Sequence, residues 1–250
     1  MKAIVTGMNG TVAPVLARTL IAAGHTVIPW NRSRVPTDNH NAVRDFIHSE
    51  NPDWCFHLAT GSPEWAESLA QVCAQQKIKF LFTSSVSVFA AAQAGPFTVD
   101  SLPQPDDAYG SYKLECERRV CETHPDALVV RLGWQIGTTP GANHMVDYLD
   151  RTFRTENHIA ASRKWYQACS FLEDTADSLK YIMETLTAGV YHVDGNPGLN
   201  FYEIAIGLNR TLGEPWIVIP SNSPIQNNLL LDKHVQVSPI TRRFLTPSDR

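Results

Sequence analysis

Tyr109 and Lys113 stand four residues apart in a stretch with helical periodicity, so their side chains share one helical face. A phenol with its ordinary pKa of about 10 exchanges protons poorly at neutral pH. An ammonium beside it favours the phenolate, lowers that value and makes proton transfer to a carbonyl or from an alcohol feasible. Ser85, in the hydroxyl run Thr83-Ser84-Ser85-Val86-Ser87, can supply a hydrogen bond to the reacting oxygen. Taken alone, tyrosine and lysine at this spacing also describe a packed ring beside a solvated amine. The chemical reading rests on order along the chain, because a glycine turn, the serine run and the tyrosine follow one another as a single site would need them.

The glycine turn opens the chain. Residues 2–5 read as a short buried strand and Thr6-Gly7-Met8-Asn9-Gly10-Thr11-Val12-Ala13 as a tight turn. Val12, Leu16 and Leu20 form one helical face, closed by Gly24. Gly7 can take backbone angles that a Cβ forbids, and Gly10 lets the main chain approach a pyrophosphate at the helix start, where free N–H groups and the dipole favour negative charge. Such turns also end ordinary strands, but one between a strand and a helix favours dinucleotide binding, with Gly7, Asn9, Gly10, Thr11 and Val12 as its cradle. After a second strand, 26–30, come Asn31, Arg32, Ser33 and Arg34, where an NAD-preferring site places a carboxylate. Guanidinium groups pair instead with the extra phosphate of NADP, so NADP(H) is expected over NAD(H), with Asn31, Arg32 and Ser33 at the site and Arg34 helping. Two solvated arginines in a loop are the competing reading. A third strand, 54–58, runs into Leu58, Ala59 and Thr60, where a cofactor could lie across a strand end.

The elements that must position these residues alternate. Helices are expected at 41–50 and 63–76, a fourth strand at 78–83, and an irregular proline-rich loop at 96–105 over the active face. Strand–helix alternation argues for an α/β fold, a doubly wound parallel sheet with ligands outside its C-terminal strand ends. In the second half, 138–143 reads as a loop, 145–153 and 174–186 as helices, 191–193 as a strand returning to the sheet and 217–219 as a short strand. From 239 onward the chain is polar and expected to fray. The expected division is a Rossmann cofactor domain over 1–135 and a smaller substrate-binding region over 136–250, interleaved because about 171–194 returns to the first.

A formal net charge of −4 over 250 residues leaves no basic excess to hold nucleic acid or an anionic membrane. No run approaches the roughly 18 apolar residues of a membrane span, and a strand begins at once without a signal-peptide core, so a cytoplasmic protein is expected. Five cysteines without a C-x-x-C pair and nine scattered histidines suggest neither a disulfide framework nor a metal site.

With Thr6-Gly7-x-x-Gly10-x-x-Ala13, Ser84-Ser85-x-x-Val88-Phe89 and Tyr109-Gly110-x-x-Lys113, the chain resembles the extended short-chain dehydrogenase/reductases. Within that superfamily it is most similar to the dTDP-4-dehydrorhamnose reductase family of sugar-nucleotide-binding (RmlD-like) proteins. Further residues carry that match: Asn51-Pro52-Asp53, Arg131-Leu132-Gly133-Trp134, Gly189-Val190-Tyr191-His192-Val193, Phe201-Tyr202-Glu203-Ile204-Ala205 and Asn227-Asn228-x-Leu230-x-Asp232-Lys233. The resemblance implies an oxidoreductase that delivers hydride from NADPH to the keto group of a nucleotide-linked 4-keto-6-deoxy sugar. Tyr109 would donate the proton, Lys113 would lower its pKa and hold the nicotinamide ribose, and Ser85 would orient the carbonyl. Ser85, Val86 and Trp134 would line the substrate pocket, although an aromatic such as Trp134 could equally be core. Three departures bear on the substrate: Val86 replaces a polar residue, Trp165-Tyr166-Gln167-Ala168-Cys169-Ser170 replaces a Gln-x-Gly-x-Pro-Thr segment, and no asparagine lies between Ala59 and Phe80. The alternatives are an epimerase or dehydratase, which usually carries an acid after the second strand, and a non-catalytic NADP-binding regulatory subunit, which would be expected to lose Tyr109 or Lys113. A homodimer is compatible with the sequence.

Overall fold

The segments Trp54–His57 and Leu128–Leu132 are buried along their whole length, which only strands covered on both faces can be. The structure is a computed structural model and describes residues 1–137 and 143–244. Its first part alternates β1 (Lys2–Val5), α1 (Ala13–Ala22), β2 (Thr26–Pro29), α2 (His40–Glu50), β3 (Trp54–His57), α3 (Pro63–Gln76) and β4 (Lys79–Ser85). There follow β5 (Phe97–Thr98), α4 (Ala108–Thr123), β6 (Leu128–Leu132), β7 (Trp134–Ile136), α5 (Met145–Glu156), β8 (Ile159–Ser162), β9 (Trp165–Tyr166) and β10 (Cys169–Phe171). The chain ends with α6 (Leu172–Thr185), β11 (Gly189–Val193), α7 (Phe201–Thr211), β12 (Val218–Ser221), β13 (Gln226–Asn227) and β14 (Leu230–Leu231).

Six strands form one parallel sheet in the order β11-β6-β4-β3-β1-β2. After β1 the chain steps to β2 on one side and then crosses to β3 on the other. The loops leaving β1 and β3 therefore diverge and open a crevice at the C-terminal edge. On one face α1 and α6 pack Leu16, Leu20, Leu179 and Ile182 against Val5 and Val193. On the other, α2, α3 and α4 bring Val43, Leu69 and Val120 against Phe80 and Phe82. A separate core of Ile136, Leu149, Ile159, Phe171, Phe201 and Leu208 joins α5 and α7 to the short strands. Helix α7 starts from a capping box, in which Asn200 Oδ1 accepts the Glu203 N–H at 3.0 Å and Glu203 Oε2 accepts the Asn200 N–H at 2.9 Å.

Two expectations change. The 96–105 segment is not wholly irregular: Phe97 and Thr98 pair in parallel with Leu230 and Leu231, and Phe89 bridges to Gln104. The chain beyond Pro239 does not simply fray, since Ile240 opens a 3₁₀ turn with its side chain fully buried and Arg243 forks onto Asp174 at 2.9 and 3.0 Å. Most of the loop expected at 138–143 and the last six residues lie outside the described residues. Among the described residues no helix is long and apolar enough to cross a membrane.

Candidate active site

Thr6, directly after β1, stitches the two diverging loops together. Its Oγ1 accepts the N–H groups of Leu58 at 3.0 Å and Ala59 at 3.1 Å and lies 2.9 Å from His57 Nδ1. With both acceptor sites filled, the single hydroxyl hydrogen goes to Nδ1, which fixes a neutral imidazole protonated at Nε2. Burial, with Lys113 and Arg32 nearby, lowers the His57 pKa to about 3, in keeping with that neutral form. Gly7 sits at φ +85°, and a Cβ there would lie 3.0 Å from Ala59 N and 3.1 Å from the Leu58 carbonyl carbon, so the close approach of the loops demands glycine. The turn closes with Gly10 N–H donating to the Gly7 carbonyl at 2.7 Å. Helix α1 begins without a side-chain cap; Pro14 in its first turn carries no N–H, and Val15 and Leu16 donate to the Val12 carbonyl at 3.1 and 3.0 Å.

A cavity of about 660 Å³ opens above this turn. Its walls include Gly7, Asn9 and Gly10 from the first loop, Asn31, Arg32 and Ser33 after β2, and Leu58, Ala59 and Thr60 after β3. Asn31 Oδ1 accepts the Ser33 N–H at 2.9 Å, holding that loop in a turn. The Arg32 guanidinium donates to the Thr60 carbonyl and lies 5.0 Å over the Trp65 ring. Arg34, expected as a helper, is not on this wall.

A smaller cavity of about 240 Å³ shares Gly7, Gly10, Leu58 and Thr60 with the first and adds Thr11, Val12, Ser85, Tyr109 and Lys113. Ser85 ends β4, where its Oγ accepts the Ser87 N–H at 3.1 Å and donates to Ser87 Oγ at 3.2 Å. Asp107 caps α4 through the Gly110 N–H at 2.6 Å, so Tyr109 and Lys113 lie in the first two turns. A buried fork from Arg131 on β6 to Glu117, at 2.8 and 3.0 Å, ties this helix to the sheet. Lys113 is 3% exposed and donates from Nζ to the Thr83 carbonyl at 2.8 Å. Burial lowers its pKa to about 8, which leaves it mostly charged at neutrality. The Tyr109 ring is 46% exposed and stands at the cavity mouth rather than in the core.

The electrostatics correct one expectation. The Tyr109 pKa is raised, first by desolvation and then by the Asp107 carboxylate, and a hydrogen bond with Ser85 only partly opposes this. Lys113 Nζ is 5.9 Å from the Tyr109 ring and is committed to the Thr83 carbonyl, so here the ammonium does not pull the phenol down.

A third cavity, about 530 Å³, shares Ser85, Tyr109, Gly133 and Gln135 with the second and reaches Val86 and Trp134. Trp134 meets both readings given for it: it lines this cavity, and its ring stacks on Phe201 at 6.1 Å and meets Tyr148 edge-on at 5.2 Å. Apart from Arg34, each proposed catalytic, cofactor and substrate residue thus stands on one of three cavities that share lining residues. Gln135, Trp165, Gln167 and Asn228 also line the third, and sequence reasoning did not single them out as site residues. For Gln135 a signal existed, an uncharged polar residue inside the strand Trp134–Ile136. The others come from two-residue strands and loops whose contacts are tertiary. Among the described residues no group of three or more His, Cys, Asp or Glu side chains could hold a metal ion.

Residues 63–228 match the family model described as RmlD substrate binding domain. A dTDP-4-dehydrorhamnose reductase of Mycolicibacterium smegmatis is 32% identical over 150 residues, covering 53% of this chain and 45% of that protein. A probable low-salt glycan biosynthesis reductase of Haloferax volcanii, Agl14, is 28% identical over 174 residues, covering 59% and 58%. The chain thus spans about half the length of these two curated relatives. The crystal structure of dTDP-4-dehydrorhamnose reductase from Bacillus anthracis in complex with NADP superposes with a TM-score of 0.84 at 17% identity, over 97% of this chain and 96% of that one, and shows that the fold is shared.

Proposed function

Because the chain belongs to the RmlD substrate-binding-domain family, we propose that it is a cytoplasmic NADPH-dependent reductase of the keto group on a nucleotide-linked 4-keto-6-deoxy sugar. One observation carries the reading: Ser85, Tyr109 and Lys113 meet on the small cavity that joins the glycine-loop crevice to the cavity of Trp134. The crevice fits a dinucleotide. Gly7 keeps it open where a Cβ would meet backbone, and no carboxylate stands at Asn31–Ser33 to repel a ribose phosphate. Arg32 gives the preference for NADPH over NADH.

When bound, the nicotinamide supplies the hydride. The chain supplies the rest. Ser85 Oγ turns its hydrogen from Ser87 to the carbonyl oxygen and polarises it. Tyr109 gives its phenolic proton to that oxygen as negative charge develops there. Its raised pKa keeps the proton in place until then, which suits an acid in the reductive direction. Lys113, held by Thr83 on the cavity that the glycine loop also lines, would hold the nicotinamide ribose. An epimerase or dehydratase is disfavoured by the missing acid after β2, and a purely regulatory role by the intact trio.

The test is consumption of NADPH, followed at the reduced-nicotinamide absorbance band, with dTDP-4-keto-6-deoxyglucose as substrate. Tyr109→Phe should lower kcat by about 10²-fold or more while NADPH still binds. A wild type that binds NADPH yet turns over no keto sugar would overturn the reductase reading.

A further inference from the structure

Gln135 lies on β7, three residues past the end of β6, and β6 pairs with β4 so that Leu132 stands opposite Ser85. It is 8% exposed. Its Nε2 donates to the Gly133 carbonyl at 3.0 Å, which decides which end of the amide is oxygen and turns Oε1 away from that carbonyl. Oε1 is buried and has no hydrogen-bond partner among the described residues. The side chain borders both the small cavity of Lys113 and the larger one of Trp134, on the wall they share with Ser85 and Tyr109.

A buried acceptor left unmade costs free energy, and no donor among the described residues reaches Oε1. Such a group is satisfied when a ligand brings its own donor. Ser85 and Tyr109 face the carbonyl oxygen on the reductase reading, so the wall between the two cavities runs beside the carbons flanking that carbonyl. In a 4-keto-6-deoxyhexose one flanking carbon carries a methyl group and the ring oxygen, neither a donor, and the other carries a hydroxyl. We infer that Gln135 is a specificity-determining residue, whose free amide oxygen accepts a hydrogen bond from the hydroxyl on the carbon next to the reacting ketone. The enzyme is thereby selective for α-hydroxy ketones. This assignment rests on the reductase reading.

The experiment crosses the residue with the group it contacts. Wild type and Gln135→Met are each assayed with NADPH and either dTDP-4-keto-6-deoxyglucose or its 3-deoxy counterpart, and urea unfolding checks that the variant is folded. Wild type should prefer the 3-hydroxy compound by about 10- to 100-fold in kcat/KM, one hydrogen bond to an otherwise unpaired buried acceptor. Gln135→Met should lose that preference through the 3-hydroxy compound alone and leave the 3-deoxy compound unchanged, which a purely structural role would not produce. Equal losses on both compounds, or a loss confined to NADPH affinity, which would give the acceptor to the nicotinamide carboxamide, overturns the assignment. If the variant does not fold, the wild-type comparison decides alone, and the absence of any preference overturns it. A wild type inert toward both compounds overturns the reductase reading and this inference with it, whereas an active wild type without the expected pattern overturns only the inference.

Discussion

Gly110 lies between Tyr109 and Lys113 on α4, and its replacement by alanine is the sharpest local perturbation of the candidate active site. A Cβ at this position would fall 2.0 Å from the Ser87 carbonyl oxygen and 2.9 Å from Pro105 Cβ. Real Cβ atoms essentially never approach closer than 3.0 Å, so the start of α4 must withdraw from the Ser85–Ser87 segment by about 1 Å. The nearest obstacle is backbone and cannot rotate aside. Farther along the helix, the buried Glu117–Arg131 fork holds α4 to β6, so the displacement concentrates in the first turn, at Tyr109. Overpacking of this kind costs about 1–3 kcal/mol, which with an m-value of about 2–3 kcal/mol/M lowers the urea midpoint by roughly 0.3–1.5 M. A 1 Å misplacement of a reacting group costs about 10²-fold in rate. Gly110→Ala should therefore lose about 10²-fold in kcat, about 2.7 kcal/mol, together with that stability, measured by NADPH oxidation and by urea unfolding monitored by tryptophan fluorescence. The exposed neighbour Ser111→Ala should change neither by much. A Gly110→Ala protein with wild-type kcat and midpoint would refute the idea that the seam between α4 and the end of β4 sets the catalytic geometry.

Arg32→Ala should weaken NADPH binding by about 10- to 100-fold and leave NADH nearly unchanged, by fluorescence titration, because the guanidinium over Trp65 is the cation on the wall of the glycine-loop crevice. An unchanged NADPH-to-NADH ratio removes Arg32 from the phosphate site. The pH profile tests Lys113: because burial depresses its pKa to about 8, the ammonium is present below that pH and lost above it. The kcat/KM for ketone reduction should accordingly be level at neutrality and fall above about pH 8, and Lys113→Arg should carry the falling limb beyond pH 10 or so. A limb that stays in place in Lys113→Arg belongs to another group.

Much of the site could be read from the chain because the constraints that shape it are local. The glycine turn is legible since the angles at Gly7 and the approach of helix to strand restrict residue type within a few positions. Tyr109 and Lys113 share a face by helical spacing alone, and the parallel sheet follows from alternating apolar segments. Spacing does not say what holds the ammonium. Its partner is the carbonyl of Thr83, thirty residues away, and the burial that raises the phenol's pKa is likewise a matter of tertiary packing. The pairing of Phe97 with Leu230 and the burial of Ile240 escaped notice for a related reason: two-residue strands carry no periodicity, and their partners lie far along the chain. His57 reads as one of nine scattered histidines, yet it is the neutral ring that takes the hydrogen of Thr6.

Cofactor and ketone therefore meet walls of different construction. On the cofactor side the loops are tied crosswise: Thr6 holds Leu58 and Ala59, Arg32 holds Thr60, and Tyr112 Oη accepts the Gly61 N–H at 3.1 Å. The ties of Thr6 and Arg32 join strand ends of the central sheet and that of Tyr112 joins α4 to the loop after β3, so a substitution at one disturbs its neighbour as well. On the ketone side Trp165, Gln226 and Asn228 come from β9, β13 and the loop after it, short segments outside that sheet. Asn228 Oδ1 and Trp165 Nε1, like Gln135 Oε1, have no hydrogen-bond partner among the described residues. The loops of the cofactor wall are thus tied to one another, while these three atoms of the ketone wall are left without a partner. On the reductase reading the sheet would fix where hydride and proton are delivered, and the appended segments, which can change without repacking the sheet, would decide which ketone receives them.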